Sequence, residues 1–107
     1  MMYYRRKILL SILEVFGGQL NKISLQKLLF LFTKYQDKPS FEFVPHRYGC
    51  FSFQSNWDIQ ALKTYGKIRD TEKGWQLIEM TSFRGELTVD DKNTLSHLYR
   101  TYKGFST

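Results

Sequence analysis

Apolar residues recur near the start of the chain at Ile8, Leu9, Ile12, Leu13 and Phe16. That is helical spacing with a wide buried stripe, and it predicts a helix over 5–16. Gly17-Gly18 stops it, as glycine past a helix end commonly does. Gln19-Leu20-Asn21-Lys22 reads as a turn. Ile23 opens a second helix with Ser24 as candidate N-cap and Leu25, Leu28, Leu29 and Phe32 on one face. The run Leu28-Leu29-Phe30-Leu31-Phe32 is apolar almost all round, which predicts the most buried helix. After the break Asp37-Lys38-Pro39-Ser40, Phe41-Glu42-Phe43-Val44 alternates like a short strand that Pro45 confines to an edge or an end. Tyr48-Gly49-Cys50-Phe51 reads as a turn into a third helix, capped by Ser52 or Ser55, carrying Trp57, Ile59, Leu62 and Tyr65 and ended by Gly66. Lys67-Ile68-Arg69-Asp70 and Trp75-Gln76-Leu77-Ile78 flank the polar turn Thr71-Glu72-Lys73-Gly74, the signature of a hairpin. A last helix starts at Asp90-Asp91 and turns Leu95, Leu98, Tyr99 and Tyr102 inward. No internal repeat or low-complexity tract interrupts this order.

The order helix, helix, short strand, helix, hairpin, helix predicts an α+β, mainly helical domain. It matches a winged helix-turn-helix, in which the third helix reads a partner and a two-stranded wing flanks it. The passage from Ile59 and Leu62 through Gly66 and Ile68 to Gly74 and Leu77 carries that pattern.

Composition narrows the function. At 107 residues and 12.8 kDa the chain has room for one domain over 1–107. Hydrophobic content of 42% with 24% charged residues is that of a globular protein, and 17% aromatics is rich. Sixteen basic against ten acidic residues leave a net charge of +6, compatible with an anionic partner. The excess is uneven. Residues 1–69 hold eleven basic and four acidic side chains, a balance of +7, whereas 70–107 hold five and six, a balance of −1. The single Cys50 excludes an internal disulfide and a Cys-based zinc site, and His46 and His97 do not form a ligand pair in sequence. No apolar stretch is long enough for a membrane span. The basic start before Ile8-Leu9-Leu10 superficially resembles a signal peptide, but Ser11, Glu14 and the lack of a small-residue cleavage site argue against it. The expectation is a cytoplasmic chain with neither metal nor cofactor and no catalytic constellation.

For a nucleic-acid contact the candidates are Gln54, Ser55, Asn56, Gln60 and Lys63 on the outer face of the third helix. Amides, hydroxyls and ammonium groups are the side chains that bond phosphates and base edges. Ile59, Leu62 and Trp57 are expected to face the core, and Asp58 counts against a phosphate nearby. Lys67, Arg69 and Lys73 lie on the wing, diluted by Asp70 and Glu72. Arg5, Arg6 and Lys7 oppose the dipole of the first helix, which points to an electrostatic contact or to solubility. Arg47 has the bidentate chemistry for a phosphate or a carboxylate. Gln26 and Lys27 are expected to form the solvated strip of the second helix.

Two segments carry a more specific likeness. Leu25-Gln26-Lys27-Leu28-Leu29-Phe30-Leu31, followed by Pro45-His46-Arg47-Tyr48-Gly49-Cys50-Phe51-Ser52, resembles the Panacea (SocA-like) antitoxin-related proteins of bacteria and phages, with Cys50 where that family usually has proline. Leu98-Tyr99-Arg100-Thr101-Tyr102-Lys103-Gly104-Phe105-Ser106 is similar to that family's Tyr-Gly-x-x-Ser stretch. The resemblance implies a cytoplasmic module of toxin–antitoxin or phage–host conflict that acts by binding, and the N-terminal module of a longer protein.

Two readings follow. One is a winged-helix module on duplex DNA. The other is a protein-interaction module that has turned the same scaffold to a toxin, a phage protein or an attached domain. RNA is a weaker third, and either main reading admits a homodimer. The surface from Gln54 to Lys63 together with the wing separates them. A continuous positive face there supports DNA, and a mixed or apolar one supports a protein partner.

Overall fold

The computed structural model describes residues 2–46, 49–79 and 83–103. Helix α1 (Tyr4–Val15) has every residue from Ile8 to Leu13 buried, so the rest of the chain wraps around it. It thus takes the central place that the apolar run of the second helix predicted for that helix. Phe30 and Leu31 of α2 (Lys22–Lys34) are only half-buried, while Leu25, Leu28, Leu29 and Phe32 line the core. The N-cap of α2 is Asn21, whose side chain accepts from the Ser24 amide at 2.7 Å. An amide oxygen three residues ahead of that N–H does the capping expected of Ser24.

Between the two helices Gly17 and Gly18 both take positive φ, 93° and 90°, and reverse the chain within two residues. The reversal feeds Gln19-Leu20 into strand β1 (Gln19–Leu20) where a turn was expected. Two residues are too few to show a period-two pattern, so this strand exists through its pairing alone.

The chain then runs through β2 (Val44–His46), β3 (Gly49–Phe51), α3 (Phe53–Thr64), β4 (Ile68–Thr71), β5 (Gly74–Leu77), a 3₁₀ turn at Arg84–Glu86 and α4 (Val89–Tyr102). β2 and β3 form an antiparallel ribbon with Val44 opposite Phe51. The strand expected at 41–44 is displaced into this ribbon, and the turn expected at 48–51 is largely its second strand. Phe41 and Phe43 alternate with polar neighbours because both rings pack inward, Phe41 at 1% exposure and Phe43 edge-on to Phe30 at 5.3 Å. Burial wrote the alternation there, with no strand ladder behind it.

The second sheet has the order β1-β5-β4, all antiparallel. β5 pairs with both the preceding β4 and the distant β1, with Leu20 opposite Trp75 and Ile68 opposite Leu77. Gly74 makes the junction possible. It has φ +124°, and a Cβ there would lie 2.2 Å from the Leu20 carbonyl oxygen. The result is an α+β fold, mainly helical, with four α-helices and a small three-stranded antiparallel sheet among the described residues. Its core joins Ile8, Leu9, Ile12 and Leu13 to Leu28, Leu29, Phe32, Ile59, Leu62, Leu95 and Leu98.

A polar joint ties the first and last helices. Thr88 caps α4, its Oγ1 accepting from the Asp91 amide at 3.2 Å, and Asp90 and Asp91 sit in the favourable first turn. The Tyr4 hydroxyl donates to Asp91 Oδ2 at 2.5 Å and accepts from the Thr88 amide at 3.0 Å. Gln36 Nε2 donates to both oxygens of Asp91 at 3.2 Å. Burial and the bond to Asp91 push the Tyr4 phenol above its ordinary value of 10.0.

A raised folded-state value means that the Tyr4 contribution is complete below pH 10.0 and disappears as the pH climbs through that raised value. Tyr4→Phe should therefore flatten the alkaline limb of a stability–pH curve measured by urea unfolding, relative to the parent chain. Gly74→Ala should cost about 2 kcal/mol or more, because strained φ and a backbone clash coincide. The same substitution at Gly66, where a Cβ meets nothing within 4 Å, should cost less, and the two unfolding midpoints test the difference.

Candidate interaction surface

The rotation of α3 about its axis decides which residues can meet a partner, and one charged side chain sets it. Asp58, 1% exposed, points inward from the middle of α3. Arg5 grips it bidentately, Nε to Oδ2 at 2.7 Å and Nη2 to Oδ1 at 3.2 Å, and Arg6 Nε reaches Oδ1 at 3.1 Å. The bond to Asp58 holds the Arg5 guanidinium above its ordinary range, against the opposing effect of burial. The basic cluster at the head of α1 is thus spent largely inside the molecule, with Lys7 paired to Glu86 at 2.8 Å. Two guanidiniums on one buried carboxylate outweigh the unfavourable dipole at that helix end.

With Asp58 inward, Ser55, Ile59 and Leu62 follow it. Ser55 was expected outside. It is instead fully buried, its Oγ donating to the Ser52 carbonyl at 2.9 Å and accepting from Gln26 Nε2 at 2.8 Å. Gln26 Oε1 also accepts from the Ser52 amide at 3.4 Å. Gln26 is therefore half-buried and clamps the first turn of α3, where a solvated strip was expected. Ser52 provides the N-cap, accepting from the Ser55 amide at 3.1 Å.

The opposite face of α3 is the surprise. Trp57, expected in the core, is 76% exposed, and Phe53 one turn before it is 60% exposed. Residues four apart are neighbours on a helix surface, so the two rings form a ridge. Beside it run Asn56, Gln60 and Lys63, all exposed. Gln54 is half-buried and its Oε1 accepts from the Glu42 amide at 2.6 Å, which anchors the segment leading into the ribbon. At the C-terminal end of the helix, exposed Tyr65 lines a cleft of about 710 Å³ with Tyr3, Arg6, Leu62 and Lys67. The Arg6 guanidinium lies 4.7 Å from the centre of the Tyr3 ring.

On the hairpin, Arg69 Nε donates to Gln76 Oε1 at 2.9 Å, Lys22 meets Asp70 at 3.3 Å, and Lys73 is exposed. Arg47 lies outside the described residues. Of the proposed contact residues, Asn56, Gln60 and Lys63 share the outer face of α3 with the two rings, and Lys67 lies just past its end. Sequence reasoning missed Phe53, Trp57, Tyr65 and the clamp Gln26. The signal for the ridge was present as the four-residue step 53, 57, 61, 65. It competed with the apolar step through Ile59 and Leu62, and only the ion pair with Arg5 and Arg6 ranks the two.

Among the described residues no three His, Cys, Asp or Glu side chains gather as a metal site requires, and no helix is long and apolar enough to cross a membrane. Comparison with known proteins finds no matching family model, no matching curated protein and no matching solved structure.

The clamp predicts non-additivity. Arg5→Met and Arg6→Met should each cost about 1 kcal/mol, since Asp58 keeps one guanidinium in either case. The double variant should cost about 3–5 kcal/mol, because a buried carboxylate then stands alone. Urea unfolding of the four chains measures the coupling, and simple additivity would remove α3's orientation from the clamp's account.

Proposed function

We propose that the chain is a winged-helix binding module whose third helix docks a protein partner. The scaffold reading rests on connectivity: the strand after α1 pairs with the far strand of the hairpin that follows α3, giving β1-β5-β4. The observation that carries the partner reading is Trp57, 76% exposed at the middle of α3 with Phe53 beside it. Exposed tryptophan and flanking aromatics are the groups that dominate protein interfaces when a partner desolvates them. The face is mixed and apolar where DNA would favour a continuous positive one. Lys63 is the only basic side chain on the outside of α3, and the hairpin alternates Arg69 and Lys73 with Asp70 and Glu72. The partner this surface fits has an apolar pocket for the two rings and carboxylates at its rim, facing Lys63 and Lys67. The resemblance to Panacea proteins supports the same reading, binding in a conflict system without catalysis.

Duplex DNA is the second reading, favoured by Lys63, Lys67 and Lys73, which are exposed and make no ion pair among the described residues. A photo-crosslinking residue at position 57, with one at the equally exposed Val89 (71%) as control, separates the two in the native cell. A discrete protein adduct from position 57 alone is expected. Adducts that nuclease removes would transfer the site to nucleic acid, and an adduct of twice the chain's mass would make the partner a second copy. With the partner in hand, Trp57→Ala should weaken binding by about 2 kcal/mol or more. Lys63→Ala should chiefly slow association and reduce its salt dependence.

A further inference from the structure

Where α3 ends, the chain makes a tight stop. The Lys67 amide donates to the Leu62 carbonyl at 2.9 Å and the Gly66 amide to that of Lys63 at 3.1 Å, with Gly66 at φ 75°. The residue after such a glycine is commonly apolar and packs back on the helix. Here that place is taken by Lys67, which is exposed and makes no ion pair among the described residues. Lys67 and Tyr65 border the cleft of about 710 Å³ that Met2, Tyr3 and Arg6 complete, with buried Leu62 at its floor. Tyr3 is 61% exposed and Tyr65 69%. The Tyr3 ring is nonetheless held, because Arg6 stands over it at 4.7 Å and is itself fixed by Asp58. No carboxylate lines the cleft. Glu79, which shares a separate small cavity with Lys67, forms no ion pair with it. The lining is therefore two large exposed rings, a thioether and one cation that no internal charge answers.

We propose that this cleft docks an acidic, aromatic-bearing segment of the same protein partner that meets Trp57, an inference that rests on the protein-partner reading. An aromatic or aliphatic side chain of the segment lies against Tyr3 and Tyr65 over Leu62. A neighbouring glutamate or aspartate meets Lys67, and the local positive surplus at Arg5, Arg6 and Asp58 favours the same charge. Arg6 has spent its Nε on Asp58, so the demand is for one negative charge. A phosphate monoester, with about −1.5 to −2 charges at neutral pH, asks for more. A cleft of this volume takes a drug-sized ligand, which is the size of a tripeptide. Trp57 and Tyr65 stand about 12 Å apart along the helix axis. About four extended residues span that distance, so one continuous stretch of the partner reaches both.

Titration of the nitrogen-15-labelled full chain with acetyl-Leu-Glu-Phe amide, read from the amide shifts of residues 62–67, tests the assignment. The peptide should shift them, and acetyl-Leu-Lys-Phe amide should bind about fivefold or more weakly. Lys67→Glu, at an exposed position without an ion pair, should reverse that order. Tyr3→Ser removes one ring and leaves a residue that caps helices well, so its weaker binding reports the ring and not the fold. Trp57→Ala should leave this titration unchanged. Equal binding of the two peptides, indifference to Lys67→Glu, tighter binding of a thymidine tetranucleotide than of the glutamate peptide, or no shift at all would each overturn the proposal. Those outcomes leave the crosslink from position 57 to decide the α3 reading. Absence of a protein adduct there, with the titration intact, overturns that reading instead.

Discussion

A carboxylate inside a protein must find its counter-charge and its donors in one place, or it stays neutral or stays out. Asp58 finds both in two successive residues of α1. Arg5 supplies a fork, Arg6 a second edge, and the three groups leave a local surplus of one positive charge. Because the carboxylate belongs to the middle of α3 and the guanidiniums to the start of α1, the contact fixes rotation as well as distance. Sliding α3 by one residue would turn Asp58 away and bring Trp57 into the core. The exposed ridge is thus the mirror image of the clamp: what the ion pair pulls in on one side, it pushes out on the other.

The remaining helices are set by polar contacts at their ends and by apolar contacts along their lengths. Gln26 from α2 holds the first turn of α3 through Ser52 and Ser55, and Gln36 with Tyr4 holds the first turn of α4 through Asp91. These are low-energy contacts individually. The leucine-rich core gives the cohesion, but leucine faces tolerate small rotations, and the amide and carboxylate contacts remove that freedom. Divided this way, stability and orientation are carried by different residues, so a substitution at Gln26 or Gln36 acts on geometry first.

Most helices could be read directly from spacing, because burial of one face imprints a 3.6-residue rhythm that α1, α2 and α4 keep. The hairpin was legible for a different reason: Gly74 and polar Thr71 to Lys73 mark its turn. What escaped was whatever depends on a residue far away in sequence. β1 exists only through β5, more than fifty residues later. The role of Arg5 and Arg6 lies with Asp58, and that of Gln26 with Ser52 and Ser55. α3 carries two apolar stripes, so its pattern was symmetric until a charge broke the tie. The alternation at Phe41 and Phe43 reported burial faithfully and strand geometry not at all. The motif around Gln26 does not show its physical content in sequence, because a side-chain amide bridging two helices takes its meaning only with the third helix in place.

The joint between Tyr4 and Asp91 spans 87 residues of sequence, against 53 for Arg5 and Asp58. A chain made from its N-terminus therefore holds both halves of the clamp well before the anchor of α4 exists. Until Asp91 emerges, the Tyr4 hydroxyl and the Gln36 amide face water, and the apolar row that Leu95 and Leu98 will cover is open. α4 is in this sense a closing element, added to a body whose first three helices already have their mutual orientation. The order of synthesis and the order of fastening coincide, and α4, made after the other three helices, seals α1.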